Sequence, residues 1–158
     1  MQIDIIQLDP IPLLCAREQG HYAEAAPRAW ERLMRFAYGQ RLMTPQTRAF
    51  GLSHDDPNLT EPERIRYDAC LDLDIEPPAD SGLLRGELAG GRYARLLHRG
   101  PYENLSETYA YALQQWLPQS GEQLRDAPCF EHYRNRDPRR TKPENLRTEV
   151  HIPLSAKQ

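Results

Sequence analysis

The sequence predicts an α+β fold made by internal duplication, with a curved antiparallel sheet and two main helices. Three observations carry this. A thirteen-residue pattern, D-P-x-x-T-x-P-E-x-[I/L]-R-x-[D/E], runs from Asp56 and again from Asp137, an offset of 81 with six identities and two close substitutions. Upstream, Gly20-His21-Tyr22 recurs as Gly100-Pro101-Tyr102 at an offset of 80. Apolar spacing then gives each half the same order: strand, strand, helix, strand, strand. Helices packed on an antiparallel sheet follow from that order. The 158 residues are expected to form one domain, with repeat one over 1–76 and repeat two over 81–154.

In the first half, Gln2 to Leu8 has β-rich spacing, and Pro10 and Pro12 break it before a short strand over Leu13 to Glu18. Ala25, Ala26, Ala29, Trp30, Leu33, Met34 and Ala37 follow helical spacing. Pro27 is tolerated only in a first turn, which places the helix start near Ala25, and Gly39 ends the helix. Glu31 and Arg35 form a favourable i,i+4 pair on its polar side. Thr47 to His54 and Arg64 to Ile75 read as strands, separated by an acidic, proline-containing loop.

In the second half, Leu83 to Leu88 and Arg92 to His98 read as a hairpin around Gly90-Gly91, whose freedom at positive φ suits a tight turn. Asn104 and Glu107 have the N-cap and N3 spacing of a capping box. The stripe Leu105, Tyr109, Ala112, Leu113, Trp116 and Leu117 makes the second helix, which Pro118 and Gly121 terminate. Strands over Pro128 to Arg134 and Leu146 to Leu154 complete the order.

Composition excludes several classes. The chain is 39% hydrophobic and 27% charged, as an ordinary soluble domain is. No apolar run approaches the roughly 20 residues of a membrane helix, and no secretory leader is visible at the N-terminus. A net charge of −3 argues against non-specific nucleic-acid binding. Three well-separated cysteines, Cys15, Cys70 and Cys129, read as reduced thiols of a cytoplasmic protein. The five histidines lack metal-ligand spacing, and Gly90-Gly91 lacks the context of a phosphate loop, so no metal or cofactor is expected. Ser53-His54-Asp55 contains triad residue types, but strand neighbours point to opposite faces.

The functional clue is the strand Cys129 to Arg134. Alternation puts Glu131 and Tyr133 on one face and Phe130 and His132 on the other. At an offset of 81, Glu131 and Tyr133 align with Phe50 and Leu52, so one copy is apolar where the other carries a carboxylate and a phenol. A buried anion is costly unless compensated, so a cavity carboxylate attracts a cation or holds a proton. Aromatic faces add roughly 0.5–2 kcal/mol each for a bound cation. Asp55, Asp56, Glu61 and Glu63 lie around the first motif and Arg134, Arg136, Arg139, Arg140 and Lys142 around the second: two solvated loops of opposite sign, with a protein-docking or oligomer surface as the alternative.

His98-Arg99-Gly100-Pro101-Tyr102, Pro128-Cys129-Phe130-Glu131-His132-Tyr133, Asn135 and the two D-P-x-x-T-x-P-E motifs resemble the bacterial GyrI-like effector-binding family over nearly the whole chain. That family includes the gyrase-inhibitory-protein type and the ligand-binding domains of AraC-type and MerR-type regulators. His21 stands where the pattern would have proline. The resemblance implies a duplicated β-α-β-β unit, a partial barrel and a cleft between the repeats. It also implies that the glutamate of F-E-x-Y, here Glu131, lies in the cleft and receives amphipathic cations. The candidate ligand-binding residues are Glu131, Tyr133, Tyr67, Trp30, Tyr102 and Trp116. The expected function is a standalone binding domain for a small amphipathic, cationic molecule, with no direct DNA contact because no helix-turn-helix is present. Two alternatives stand beside it: a protein that contacts DNA gyrase, and a hydrolase of reactive electrophiles with Glu131 as general base.

Overall fold

The computed structural model describes residues 1–56, 59–135 and 138–157. Pro57, Arg136 and Asp137, which belong to the repeated motif and the basic loop, lie outside them. The chain forms two compact units: Pro10–Ala89, and Met1–Asp9 together with Gly90–Gln158.

The unit formed by Pro10–Ala89 contains β2 (Ile11–Gln19), α1 (Tyr22–Gly39), β3 (Ala49–Ser53), β4 (Arg66–Leu71) and β5 (Leu84–Leu88). Its strands run in the order β5-β2-β4-β3, all antiparallel. The other unit contains β1 (Ile3–Leu8), β6 (Gly91–Arg99), a helical segment, β7 (Cys129–Tyr133) and β8 (Arg147–Leu154), in the order β1-β6-β8-β7, again antiparallel.

The expected hairpin across Gly90-Gly91 does not form. Strand β5 pairs with β2, Ile11 opposite Leu88, while β1 pairs with β6, Leu8 opposite Gly91. Gly91, at φ 122°, still supplies a backbone conformation closed to other residues, but it redirects the chain instead of closing a turn.

Each unit buries one sheet face under its helix. In the Pro10–Ala89 unit, Leu14, Ala16, Tyr67, Ala69 and Leu71 pack with Ala26, Ala29, Leu33 and Ala37 of α1. Helix α1 begins at Tyr22, one turn earlier than the spacing suggested, so Pro27 lies inside it. The hydrogen bond that proline cannot donate would go to the carbonyl of Ala23, an exposed residue that water can serve. In the other unit, Ala94, Leu96, Val150, Ile152 and Leu154 pack with Leu105 and Ala112. Its helical segment is α2 (Leu105–Ala110), a π-helical stretch Tyr111–Trp116, and α3 (Leu117–Ser120). Asn104 makes no side-chain cap, because the turn Tyr102–Asn104 is already helical and holds it at φ −94°, ψ 3°, away from the extended geometry a cap needs. Among the described residues no helix is long and apolar enough to cross a membrane.

Candidate functional site

Glu131 sits at the middle of β7, opposite Val150 of β8, which in turn lies opposite Leu96 of β6. Leu96 and Val150 belong to the helix-covered core, so Glu131 shares that face while Phe130 points to the other one. The carboxylate is 2% exposed. Its oxygens are divided between two phenols: Tyr109 of α2 donates to Oε2 at 2.6 Å, and Tyr133, two residues along the strand, donates to Oε1 at 3.0 Å. No salt bridge reaches Glu131 among the described residues. Burial drives its pKa upward, and the two phenol hydrogen bonds offset that only in part. The carboxylate therefore does not face bulk water, and among the described residues no arginine pairs with it.

Two further groups belong to the same neighbourhood. The Tyr102 ring meets Tyr133 edge-on, with centroids 5.5 Å apart. Its phenol is pushed up to about 12, first by burial and then by the charge of Glu131. The next rung of the sheet runs His98, Thr148, Tyr133 across β6, β8 and β7. His98 places Nδ1 2.8 Å from the Thr108 hydroxyl and Nε2 2.9 Å from the Pro101 carbonyl oxygen. A carbonyl only accepts, so Nε2 carries a proton and donates to Pro101, while Nδ1 and the Thr108 hydroxyl share the second hydrogen bond. Thr148, fully buried between them, has a hydroxyl with no hydrogen-bond partner among the described residues.

The structure thus brings together Glu131, Tyr133 and Tyr102 of the expected residues and adds Tyr109. Trp116 is half-buried against the apolar cluster of the same unit. Tyr67 and Trp30 lie in the Pro10–Ala89 unit, where Trp30 Nε1 donates to the Tyr67 hydroxyl at 2.9 Å and Tyr22 meets the Tyr67 ring edge-on. In the sequence Tyr109 stands out only as a member of the second helical stripe. The available signal is chemical: a buried phenol needs a hydrogen-bond partner, and a strand carboxylate on a core-facing side is one candidate acceptor.

Strand register also corrects the alignment of the two copies. His132 lies opposite Glu149, and Leu52 lies opposite Asp68, the equivalent motif residue. Phe130 therefore matches Phe50, Glu131 matches Gly51, and Tyr133 matches Ser53, one residue away from the alignment at an offset of 81. The slip arises from one extra residue between β7 and the second motif. The asymmetry sharpens. Where one unit carries Glu131 and the short Thr148, the other carries Gly51 and the bulky Tyr67, which is 1% exposed.

Several of the loop charges form ion pairs close to the motif. Arg66 holds Asp55 at 2.8 Å and lowers its pKa to about 2, and Arg134 contacts Glu149 at 3.1 Å. A polar groove of about 700 Å³ in the unit of Gly90–Gln158 is lined by Asp4, Arg95, Leu97, Arg99, Glu107 and Glu149 among others, and does not include Glu131. Among the described residues no three His, Cys, Asp or Glu side chains are grouped to hold a metal ion.

Comparison with known proteins gives a consistent picture. Residues 1–155 match the family described as the GyrI-like small molecule binding domain. The chain is 34% identical to the probable transcriptional regulator YgiV of Escherichia coli (strain K12), covering 98% of this chain and 97% of that protein. It is 31% identical to a DNA gyrase inhibitor of Edwardsiella ictaluri, covering 84% and 86% respectively. Among solved structures, the EcmrR C-terminal domain superposes with a TM-score of 0.75 at 16% identity over 98% of this chain and 97% of that one. SAV2435 bound to tetraphenylphosphonium superposes with a TM-score of 0.60 at 17% identity, over 98% and 94%.

Proposed function

The chain belongs to the GyrI-like small-molecule-binding family, and on that premise we propose that it binds an amphipathic cation with Glu131 as counter-ion. The observation that carries this is the buried carboxylate, which has no cationic partner among the described residues and is held by two phenols that donate hydrogen bonds but no charge. An anion in that setting gains from any cation that can approach it desolvated. Tyr102, Tyr109 and Tyr133 supply aromatic faces and edges beside it, suited to the apolar part of the ligand. The exchange of a tyrosine for the small Thr148 in this unit supports the same reading, as does a structural neighbour that carries a lipophilic phosphonium.

Tetraphenylphosphonium is the direct probe. At a hundred times its Kd, a ligand that binds only the folded state stabilises by about 2.7 kcal/mol. For a chain of this size that corresponds to a Tm rise of roughly 5–10 °C. A thermal melt with and without the cation checks it; an unchanged Tm at saturating cation removes the proposal.

A second reading, that the domain acts by contacting DNA gyrase, is favoured by the relative named a DNA gyrase inhibitor. Its expected result is co-purification of gyrase that is lost on Arg139→Glu with Arg140→Glu, two exposed residues of the basic loop. Recovery unaffected by that reversal would rule out this loop as the contact.

A further inference from the structure

The Pro10–Ala89 unit contains a feature that ligand binding does not use. Cys15 of β2 and Cys70 of β4 are direct cross-strand partners, and both side chains point away from α1. Their sulfurs are 2.8 Å apart, well inside ordinary van der Waals contact and close to the roughly 2.05 Å of a disulfide bond. Directly opposed strand residues already place their Cβ atoms near the separation that a disulfide spans. We propose that Cys15 and Cys70 form a dithiol site that a hydroperoxide oxidises to a disulfide joining β2 to β4.

The burial of the pair selects the oxidant. Cys15 is 3% exposed and Cys70 is not exposed at all. A bulky disulfide such as oxidised glutathione does not reach sulfurs at that depth, whereas hydrogen peroxide is little larger than water. Cys15 is the accessible member. It lies beneath β5, the edge strand of its unit, where Leu84 is its register partner. A Cβ on Gly86 would come within 3.2 Å of the Cys15 sulfur, a tight contact that the glycine avoids, so β5 lies close against this sulfur. Edge strands open locally at low cost, which gives peroxide a route to Cys15 first.

The steps balance. The Cys15 thiolate attacks one peroxide oxygen, the O–O bond breaks, and the departing hydroxide takes up a proton to leave as water. Cys15 is then a sulfenic acid. The Cys70 sulfur attacks the Cys15 sulfur, the S–O bond breaks, and a second water leaves with the Cys70 proton. Two thiols lose two electrons, and one hydrogen peroxide becomes two waters. Burial raises the Cys70 pKa, so it serves as the resolving thiol, reacting only once its neighbour is activated.

The test uses the full chain with Cys129→Ser, which leaves only this pair. The folded protein is treated with excess hydrogen peroxide, then unfolded and alkylated. The expected product has lost two hydrogen atoms in mass, resists alkylation, yields one peptide pair linking Cys15 to Cys70, and regains both thiols with dithiothreitol. Closing that loop should also raise Tm by several degrees, reversibly with reductant. Cys15→Ser in the same background should instead stop at oxygen addition or remain unreacted. Two alkylated thiols after peroxide, or a gain of oxygen atoms without the cross-link, would overturn the proposal.

Discussion

Replacing Glu131 by glutamine is expected to weaken tetraphenylphosphonium binding by about thirtyfold or more, the ratio that corresponds to roughly 2 kcal/mol. Glutamine keeps the shape of the side chain; its oxygen can accept from one phenol while its NH2 donates to the other, whose hydroxyl then accepts, so the walls of the site survive and the charge is removed. Triphenylphosphine oxide, which presents similar rings without a positive charge, should bind the native and Glu131→Gln proteins alike. The comparison separates a counter-ion from a wall residue. Equal losses for the two probes would mean that the substitution had damaged the site rather than discharged it. Equal affinities of native and variant protein for the phosphonium would remove Glu131 from the account.

A second large effect lies on the sheet face opposite α1. Asp68, 4% exposed, accepts from Arg17 at both oxygens, Nε to Oδ1 at 2.8 Å and Nη2 to Oδ2 at 3.0 Å, and His54 Nε2 lies 2.6 Å from the same Oδ2. Breaking a buried ion pair at one partner costs about 3–5 kcal/mol. The Arg17 side chain is 39% exposed and can turn toward water, so Asp68→Asn is expected to cost about 2 kcal/mol at neutral pH. That is a Tm fall of roughly 4–8 °C. Burial alone would raise the Asp68 pKa, but the hydrogen bonds from His54 and Arg17 prevail and hold it below the ordinary 3.8. A depressed carboxyl pKa contributes stability that is complete above the unfolded value and is lost as pH falls through the folded one. The gap between native and Asp68→Asn melts should therefore narrow as pH drops below about 3.8. A gap that is constant with pH would show that the loss is steric.

Much of this architecture was legible in the chain. The repeated motif and the two stripes fix two similar halves, each with one helix over one sheet, because apolar periodicity is local and survives in any register. The face of Glu131 was also legible, since parity along β7 is decided once Phe130 is buried. Strand partners were not. Strands β1 and β5 carry similar spacing, and the glycine pair between β5 and β6 is a local hairpin signal that a non-local pairing overrides. The one-residue slip that sets Glu131 against Gly51 was hidden because a motif match fixes its own offset and says nothing about the strand before it. Tyr109 needed three-dimensional information of another kind: it stands 22 residues from Glu131 on a different element, and only the packing of α2 over β7 brings the phenol to the carboxylate.

The most direct measurement is the titration of the Glu131 carboxyl carbon by NMR, assigned by its absence in Glu131→Gln, with and without tetraphenylphosphonium. Free protein should show a midpoint above the ordinary 4.5, because desolvation outweighs the two phenol hydrogen bonds. Such an elevation means that ionising this group destabilises the fold as pH rises from the unfolded value through the folded one, so Glu131→Gln should be the more stable protein at neutral pH. Bound cation should pull the midpoint down, since it favours the charged form. A midpoint that stays in place while the phosphonium saturates the protein would show that the cation binds somewhere else.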